Sequence, residues 1–263
     1  TAAKLGMKTG ILCHLGADDA GDMITGALTR YGVDTSHIVR SAEHPTPVTT
    51  MFVNEDGTRK SITNQSHRYN FHPEQYASVI GSAKAVILGS LFRAPFDDPE
   101  IILSVLKTET DAGVLIFGDT KLPNFRKLTL DDLKDALPLL TFITPNEDEA
   151  KYYTGKEDPE EMADVFLRYE IQNVVIKLGA KGCLFKNSKK TIKLPALPID
   201  PVDATGAGDS FVAALASEIV SGESIDNALN TANACGAICT TAVGAITALK
   251  NKEQVEAFLK KYA

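Results

Sequence analysis

Apolar residues follow two alternating patterns along the chain. Short runs of β-branched and aliphatic residues predict strands, and longer segments with apolar residues at three- and four-residue spacing predict helices. The predicted strands are residues 10–14, 85–88, 114–117, 141–144 and 174–176, with an antiparallel pair at 182–185 and 191–194. The predicted helices are residues 18–31, 99–110, 130–137, 146–153, 159–169, 211–220, 224–240 and 253–262. Repeated strand–helix units joined by short links predict an α/β fold, with a mostly parallel sheet covered by helices on both faces.

Residues 47–64 break this alternation. Two β-prone segments, 48–53 and 58–63, flank residues 54–57, and the pair Asp56-Gly57 is a typical hairpin signal. The sequence contains no linker and no internal repeat. We therefore predict a single domain over residues 1–263 that contains a small β-hairpin lid at 47–64. Such a hairpin covers a substrate or provides the edge through which two copies form a homodimer.

Composition narrows the class of protein. The chain of 263 residues is long enough for one large α/β domain, and its hydrophobic content of 44% is ordinary for a globular protein. The formal net charge of -7 argues against a nucleic-acid partner and against binding to an anionic membrane. No uninterrupted apolar run is long enough to span a bilayer and no signal peptide is visible, so we expect a cytoplasmic protein.

The cysteines fit the same compartment. Cys235 and Cys239 have the helical spacing of a metal or redox pair, but no histidine or further cysteine completes a ligand set. We therefore expect the cysteines to be buried small hydrophobic residues in a reducing compartment. They are Cys13, Cys183, Cys235 and Cys239.

A glycine-rich segment lies where the apolar, Ala-rich helix at 211–220 begins. Gly206, Ala207 and Gly208 allow a ligand to approach the backbone closely, and a helix start offers N–H groups without partners and partial positive charge. Such a site suits an anion, most often phosphate. Asp209 would repel phosphate unless it accepts a proton from an attacking hydroxyl group. The alternative is a tight turn followed by a first-turn helix acid.

The wider string Asp203-Ala-Thr-Gly-Ala-Gly-Asp-Ser-Phe211 resembles the C-terminal signature of the ribokinase-like (PfkB) carbohydrate kinases. The resemblance implies a ribokinase-like three-layer α/β/α fold and an ATP-dependent transfer of the γ-phosphoryl group to a hydroxyl group of a sugar or sugar derivative. It also implies that Asp209 is the general base and that residues 206–208 form the anion hole.

Asn146 and Glu149 follow the predicted strand at 141–144. Their spacing is typical of a helix capping box. The resemblance gives a second interpretation, because the family has an Asn-x-x-Glu motif at this place that faces the phosphates and hydrated Mg²⁺. Since Mg²⁺ usually keeps waters and uses few protein carboxylates, Glu149 would bind the metal through water.

Further residues resemble the family's nucleotide segments. Gly179 and Gly182 lie in a glycine-bearing turn that resembles the segment along ATP, and Lys177 adds charge near the phosphates or is an ordinary strand-end lysine. Asn233 lies on a helix rich in small residues, against which the family places adenine. Asp203 and Thr205 match a family segment, and residues 242–245 resemble a family loop. In many members this segment and this loop together hold a monovalent cation, so the resemblance leaves K⁺ open as a cofactor.

Substrate-side candidates follow two strands at the predicted ligand-binding edge of the sheet. Asp119 is expected to bind sugar hydroxyls, while Arg93 and Lys121 are expected to bind a carboxylate, a phosphate or the transferring phosphoryl group. Family members often carry Asp-x-Asn-x-Arg near Asp119, and Lys121 departs from that pattern. The alternative for each is an ordinary surface charge.

The segment Gly16-Ala-Asp-Asp-Ala-Gly21 also matches the family, which usually has Gly-x-Asp-x-x-Gly there. We interpret it as structural, with Asp18 as the N-cap of a helix and Gly21 allowing close packing. The first residues resemble the last turns of a helix closed by Gly6, so we expect the family's N-terminal strand segment to be absent.

Two other functions remain open. The acceptor is a nucleoside such as adenosine if Phe52, Tyr69 or Phe71 stacks on a base. The protein is a catalytically inactive nucleotide- or sugar-binding relative if it binds ATP without transferring phosphate. A Rossmann dehydrogenase is disfavoured, because the Gly-x-Gly string opens a C-terminal helix without the following strand and ribose-binding acid.

Overall fold

The computed structural model describes residues 1–53, 59–64 and 71–262. The chain divides into two compact units. The smaller unit is Lys8–Pro73, and the larger unit combines Thr1–Met7 with Glu74–Ala263. No helix in the described ranges combines the length and apolar character needed to cross a membrane.

The smaller unit contains two separate pairs of strands. Strand β1 (Cys13–Gly16) pairs in parallel with β2 (Ile38–Ser41), and helix α1 (Asp19–Arg30) connects them. Strand β3 (Thr49–Val53) pairs antiparallel with β4 (Arg59–Thr63), which confirms the strands of the predicted hairpin. The predicted turn at Asp56-Gly57 lies outside the described residues.

The first strand was predicted at residues 10–14, and this placement is wrong. The ladder with β2 runs from Cys13 to Gly16, and Gly10 makes only an isolated bridge to Asp34. The burial pattern explains the shift, because Leu15 and Gly16 are the buried residues of β1 whereas Gly10 to His14 are only partly buried or exposed.

The start of α1 is a saturated cap, as the sequence predicted. Asp18 is the N-cap, and its Oδ1 accepts hydrogen bonds from Gly21 N at 2.8 Å and Thr46 Oγ1 at 2.7 Å. Its Oδ2 accepts from Thr46 N at 2.7 Å. A Cβ atom on Gly21 would lie 2.3 Å from Gly16 O, so only glycine fits this close approach.

The larger unit is built on a six-stranded sheet in the order β10-β9-β8-β7-β6-β5. The strands are β5 (Ala85–Leu91), β6 (Leu115–Thr120), β7 (Phe142–Ile143), β8 (Asn173–Lys177), β9 (Cys183–Asn187) and β10 (Thr191–Leu194). The helices are α2 (Ala77–Ile80), α3 (Pro99–Asp111), α4 (Glu147–Thr154), α5 (Pro159–Arg168), α6 (Ala207–Val220), α7 (Ile225–Cys239) and α8 (Lys252–Tyr262). Strands β5 to β8 pair in parallel, and β9 pairs antiparallel with both β8 and β10. The predicted mostly parallel sheet is confirmed.

The predicted helix at 130–137 is wrong. The structure forms two short 3-10 turns instead, Asp131–Leu133 and Leu137–Leu139. Pro138 accounts for the break, because it lacks an N–H donor and disfavours the α conformation of the residue before it. The predicted strands at 85–88 and 114–117 continue for three further residues each, to Leu91 and Thr120.

Apolar packing fixes α6 and α7 on one face of the sheet. Sheet residues Phe117, Phe142 and Phe185 join the same buried cluster as Phe211 and Leu215 of α6. Burying one such side chain contributes about 1.5–3 kcal/mol, so several of them hold the start of α6 firmly against the strands. Helices α3, α4 and α5 pack along β6, β8 and β9.

The prediction of buried small cysteines is confirmed for all but Cys13. All are free thiols, and Cys183, Cys235 and Cys239 are buried while Cys13 is half-buried. Burial raises the pKa of the Cys183 and Cys235 thiols to about 12, so neither is a thiolate at neutral pH.

Candidate active site

The four parallel strands of the larger unit end at one edge of its sheet. Ligands of open α/β sheets bind beyond such carboxyl ends. The predicted site residues that follow these strands are Arg93 after β5, Asp119 and Lys121 at the end of β6, Asn146 and Glu149 after β7, and Lys177 at the end of β8.

The end of β5 is locally strained. Ser90 has φ of 69° and Phe92 has φ of 73°, which side-chain-bearing residues rarely adopt. Phe92 is fully buried and stacks on Tyr153 with ring centroids 4.1 Å apart, so packing compensates for the strain. Arg93 follows directly, and its Nε donates to Leu122 O at 2.7 Å. Backbone strain of this kind is typical of functional sites.

Asp119 lies at the centre of a polar network at the end of β6. Its Oδ1 accepts hydrogen bonds from Lys177 Nζ at 2.5 Å and from Thr144 Oγ1 at 3.0 Å. Its Oδ2 lies 3.6 Å from Lys121 Nζ, and only 4% of the side chain is exposed. The carboxylate is therefore enclosed by donors of the protein itself, and its role as a sugar ligand stays a prediction.

Lys121 lies in the field of several carboxylates. Burial lowers the pKa of Lys121, but the carboxylates of Asp119, Glu149 and Asp209 together outweigh burial and raise it. The side chain remains an ammonium group at neutral pH. About one third of it is exposed, at 34%, so it is accessible to an anionic ligand.

Asn146 and Glu149 form the capping box that the sequence allowed. Asn146 Oδ1 accepts from Glu149 N at 2.8 Å, and Glu149 Oε2 accepts from Asn146 N at 3.0 Å. The same Oε2 also accepts from Thr120 Oγ1 at 2.8 Å. Glu149 is only 3% exposed, so these bonds satisfy a buried carboxylate. The structural interpretation is confirmed, and a role in binding Mg²⁺ stays a prediction.

The turn after β8 depends on its glycines. Gly179 has φ of 57° and Gly182 has φ of 98°, both in the left-handed region. A Cβ atom on Gly182 would lie 1.9 Å from Leu194 O, so the neighbouring β10 excludes any side chain there. Lys181 of this turn pairs with Glu147 at 2.8 Å, which ties the turn to the first turn of α4.

The start of α6 presents donors and a carboxylate together. Gly206 is the N-cap with φ of 80°, and a Cβ atom on it would lie 2.6 Å from Ala245 Cβ. The first-turn amides of Gly208 and Asp209 make no backbone hydrogen bond within the described residues. A Cβ atom on Gly208 would lie 3.5 Å from Lys177 Nζ, so an ammonium group adjoins these amides. Asp209 is exposed.

Asp203 joins the segment before α6 to the loop after α7. Its Oδ1 accepts from Thr205 N at 3.0 Å and Thr205 Oγ1 at 2.7 Å, and its Oδ2 accepts from Gly244 N at 3.0 Å. The carbonyl oxygens of Thr205 and Ala245 both lie 3.4 Å from Cys239 Sγ. These contacts tie the segment to the loop after α7, and the monovalent-cation role that the resemblance implies stays a prediction.

Asn233 connects α7 to the loop after β10. Its Nδ2 donates to Pro195 O at 2.8 Å, so the side-chain amide has a structural partner. Val202, Val243 and Ile246 are exposed apolar side chains on the segments beside Asp203 and Gly244. They offer apolar surface beside the α6 start.

Comparison with known proteins decides the family. The sequence pattern of the pfkB family carbohydrate kinases matches residues 1–252, which is nearly the whole chain. The chain belongs to the pfkB family of carbohydrate kinases. This confirms the predicted family and the predicted class of enzyme.

Individual relatives cover almost all of this pfkB-family kinase. Probable fructokinase-3 of Arabidopsis thaliana is 30% identical over 98% of this chain and 79% of its own length. The structure of Arabidopsis thaliana ribokinase complexed with ribose and ATP superposes with a TM-score of 0.84, at 27% identity over 98% of this chain and 84% of that chain. The structure of Vibrio cholerae O395 fructokinase in its fructose, ADP and calcium ion bound form superposes with a TM-score of 0.81. It is 26% identical over 98% of this chain and 87% of that chain. The ribokinase-like fold is thereby confirmed.

Sequence reasoning missed several polar residues of this kinase. Thr120 and Thr144 are both fully buried, and each donates its hydroxyl to a carboxylate of the site. Their position at the carboxyl ends of β6 and β7 was a usable signal, because a buried hydroxyl requires a partner. Cys239 gave no such signal, since its contacts with Thr205 and Ala245 depend on the path of two loops.

Proposed function

We propose that this kinase transfers the γ-phosphoryl group of ATP to a hydroxyl group of a sugar or sugar derivative. The observation that carries the proposal is the start of α6, where the exposed Asp209 carboxylate adjoins first-turn amides without backbone partners. The relatives give direct support, because the ribokinase structure is named for ribose and ATP and the fructokinase structure for fructose and ADP.

In this proposal Asp209 is the general base. Its carboxylate accepts the proton of the acceptor hydroxyl while that oxygen forms a bond to the γ-phosphorus. The bond between the γ-phosphorus and the bridging oxygen to the β-phosphate breaks, and ADP leaves with the electron pair. The products are the sugar phosphate and ADP, and the proton passes from Asp209 to solvent. Asp209 suits this task because its side chain, exposed at the helix start, accepts no hydrogen bond from the described residues.

The anion hole is formed by the segment Gly206, Ala207 and Gly208. Amides at a helix start stabilise negative charge as it develops on the transferring phosphoryl group, and the Lys177 ammonium group beside Gly208 adds to this field. Arg93 and Lys121 are proposed as further cations for the phosphoryl group or for an acidic group on the sugar.

The nucleotide is proposed to lie along the glycine turn of Gly179 and Gly182 and against α7 near Asn233. The exposed apolar side chains at Val202, Val243 and Ile246 supply surface suited to a purine ring. The amide of Asn233 already donates to Pro195 O, so its contribution to the nucleotide comes from its remaining oxygen or through the position of the Pro195 loop.

Two cations are proposed to assist. Hydrated Mg²⁺ fits beside Glu149, because a buried carboxylate held by Thr120 and Asn146 can bind metal-bound waters, and Mg²⁺ would neutralise charge on the phosphates. A monovalent cation such as K⁺ is proposed at the segment of Asp203 and Thr205, where the carbonyl oxygens of Thr205 and Ala245 both lie near Cys239 Sγ. It would fix the loop that packs on Gly206.

Several expectations about the whole molecule stay predictions. These are the single domain over 1–263, the lid at 47–64 with a homodimer through it, and the cytoplasmic location. Met51, Phe52 and Ile62 of the hairpin are exposed apolar residues, which suits either a lid or a dimer edge.

The test is ADP release from Mg-ATP across sugars, sugar acids and nucleosides, with Asp209→Asn beside the wild type. We expect acceptor-dependent release with a sugar or sugar derivative, and a loss of turnover of about 10²–10⁴-fold in Asp209→Asn. The affinity for ATP should change little, because the carboxylate acts on the acceptor.

Three results would contradict the proposal. Release with nucleosides alone would favour the nucleoside kinase, and ATP binding without release for any acceptor would favour an inactive relative. Wild-type turnover in Asp209→Asn would remove Asp209 from the mechanism while leaving the family assignment intact.

A further inference from the structure

The candidate site contains an ion pair whose two members the sequence had assigned to different ligands. Asp119 was expected to bind the sugar and Lys177 to bind phosphate. Their side chains instead contact each other, with Lys177 Nζ 2.5 Å from Asp119 Oδ1. The exposed fractions are 4% for Asp119 and 12% for Lys177, so the pair is largely shielded from water.

The ammonium end of this pair faces the start of α6. The Cβ position of Gly208 lies 3.5 Å from Lys177 Nζ, and no side chain of residue 208 separates the two. Lys177 is itself fixed at its backbone, since Lys177 N donates to Pro145 O at 2.9 Å. Asp119 is the side-chain partner of Lys177 at the other end of this flexible chain.

Asp119 does not neutralise the positive charge of the region completely. A second ammonium group, that of Lys121, lies 3.6 Å from its Oδ2, so one carboxylate faces two cations. Thr144 Oγ1 also donates to Oδ1 at 3.0 Å and fixes the orientation of the carboxylate. A carboxylate with these three neighbours is held in one orientation and has little surface left for a sugar hydroxyl.

We propose that Asp119 is a positioning residue that holds the Lys177 ammonium group against the anion hole at the start of α6. This rests on the proposed function. A free lysine side chain has several rotatable bonds, so fixing it in one conformation costs entropy. If the side chain is already fixed before the reaction, this cost does not add to the barrier of phosphoryl transfer. Asp119 therefore acts on phosphoryl transfer through Lys177, and it does not contact the sugar.

The test is a double-mutant cycle with Asp119→Asn, Lys177→Met and the double variant. We expect Lys177→Met to lower kcat by about 10²-fold, because it removes an electrostatic contact to the phosphoryl group. We expect Asp119→Asn to lower kcat by about 10-fold, because it removes only the residue that positions Lys177. The double variant should match Lys177→Met within about threefold, because Asp119 has nothing to position once Lys177 is removed. The KM for the acceptor should stay within about twofold in Asp119→Asn.

The same cycle is measured a second time without turnover. Equilibrium binding of a non-hydrolysable ATP analogue should weaken by about three- to tenfold in each single variant, and no further in the double variant. If the wild type transfers no phosphate to any acceptor, the proposed function fails, whereas this binding cycle still tests the coupling of Asp119 to Lys177.

Lys186→Met is the matched control. Lys186 is similarly shielded, with 17% of its side chain exposed, and it pairs with Asp164 at 2.7 Å on the β9–α5 side of the sheet. Its loss should lower the melting temperature, with kcat and analogue binding unchanged.

Two outcomes would overturn the proposal. A rise in acceptor KM of about tenfold or more with unchanged kcat in Asp119→Asn would make Asp119 a sugar ligand. A kcat loss in the double variant equal to the product of the two single losses would show that Asp119 acts independently of Lys177. If Asp119→Asn does not fold, Thr144→Val replaces it. That variant removes one donor to Oδ1 and should lower kcat by about two- to fivefold, with no further loss in combination with Lys177→Met. An additional loss there would count equally against the proposal.

Discussion

Helices α1 and α6 both begin beside glycines at which a side chain would clash with a neighbouring residue, and both have an aspartate at the start. A Cβ atom on Gly21 would lie 2.3 Å from Gly16 O, and one on Gly206 would lie 2.6 Å from Ala245 Cβ. The aspartates differ. Asp18 is an N-cap whose oxygens accept from Gly21 and Thr46, whereas the Asp209 side chain accepts no hydrogen bond from the described residues.

The difference indicates which feature would separate a structural helix start from the proposed catalytic one. Close-approach glycines occur at both places, so they do not distinguish them. The occupancy of the carboxylate does, because a carboxylate that accepts several hydrogen bonds is stabilised as an anion and is a poor proton acceptor. The pKa of Asp18 is lowered by hydrogen bonds from Thr46 first and from Gly21 next. A carboxylate without such bonds remains available to an acceptor hydroxyl.

Among the variants that test the glycines and caps, the largest effect is expected for Gly206→Ala. Alanine would have to adopt φ of 80° and approach Ala245, so we expect a loss of about 1–3 kcal/mol in stability. Turnover should fall by about 10²-fold, because the amides of the proposed anion hole would move. Thermal unfolding and acceptor-dependent ADP release measure the two effects.

Gly222→Ala is the control for this variant. Gly222 has φ of 86° and no atom within 4 Å of its Cβ position, so it shares the backbone strain without the contact. It should lose stability and keep wild-type turnover. Equal turnover losses in both variants would mean that strain, and not the anion hole, explains Gly206.

A smaller effect on turnover is expected at the start of α4. The variant Glu149→Gln there tests a residue that is a structural cap and is also proposed to place Mg²⁺. Replacing the carboxylate weakens its bonds to Thr120 and Asn146, with a loss of about 1–2 kcal/mol in stability. If Glu149 also places hydrated Mg²⁺, the Mg²⁺ concentration at half-maximal turnover should rise by about 10-fold.

Asp158→Asn provides the comparison for Glu149. Asp158 caps α5 by accepting from Glu160 N at 2.9 Å and Glu161 N at 3.1 Å, and it is not among the residues proposed to place Mg²⁺. It should lower the melting temperature without altering the Mg²⁺ dependence. An unaltered Mg²⁺ dependence in Glu149→Gln as well would leave Glu149 a purely structural cap.

The smallest effect on turnover is expected for Asp18→Asn, which should change stability alone. Because the folded-state pKa of Asp18 is below its unfolded value, its contribution is present above the unfolded pKa of about 3.9 and is lost as the pH falls through the folded pKa. The melting temperature of the variant should therefore be lower than that of the wild type at pH 7. The difference should shrink below about pH 4. A difference that grows with acidity would contradict this assignment.

Local patterns predicted most of the fold and the helix starts. The N-cap at Asp18, the capping box of Asn146 and Glu149, and the glycine-bearing start of α6 each lie within a few consecutive residues. The helix at 130–137 failed because the effect of Pro138 on the preceding turn outweighed the apolar spacing.

The partners inside the site could not be read from the sequence. Asp119 contacts Thr144 and Lys177, which lie 25 and 58 positions away, and the order of strands in the sheet brings them together. Asp119 was expected to bind sugar hydroxyls or to be an ordinary surface charge, whereas Gly118 to Thr120 form the buried end of β6. Distant pairing of this kind depends on the sheet order and leaves no local spacing to detect.

The roles of Asp209 and Asp18 are separated by measuring turnover and melting temperature on the same preparations of Asp209→Asn and Asp18→Asn. We expect Asp209→Asn to lose about 10²-fold or more in acceptor-dependent ADP release and to keep the wild-type melting temperature. We expect the reverse for Asp18→Asn, with a lower melting temperature and wild-type turnover per folded molecule. Wild-type turnover in Asp209→Asn, or equal losses of turnover in both variants, would show that Asp209 is not the general base.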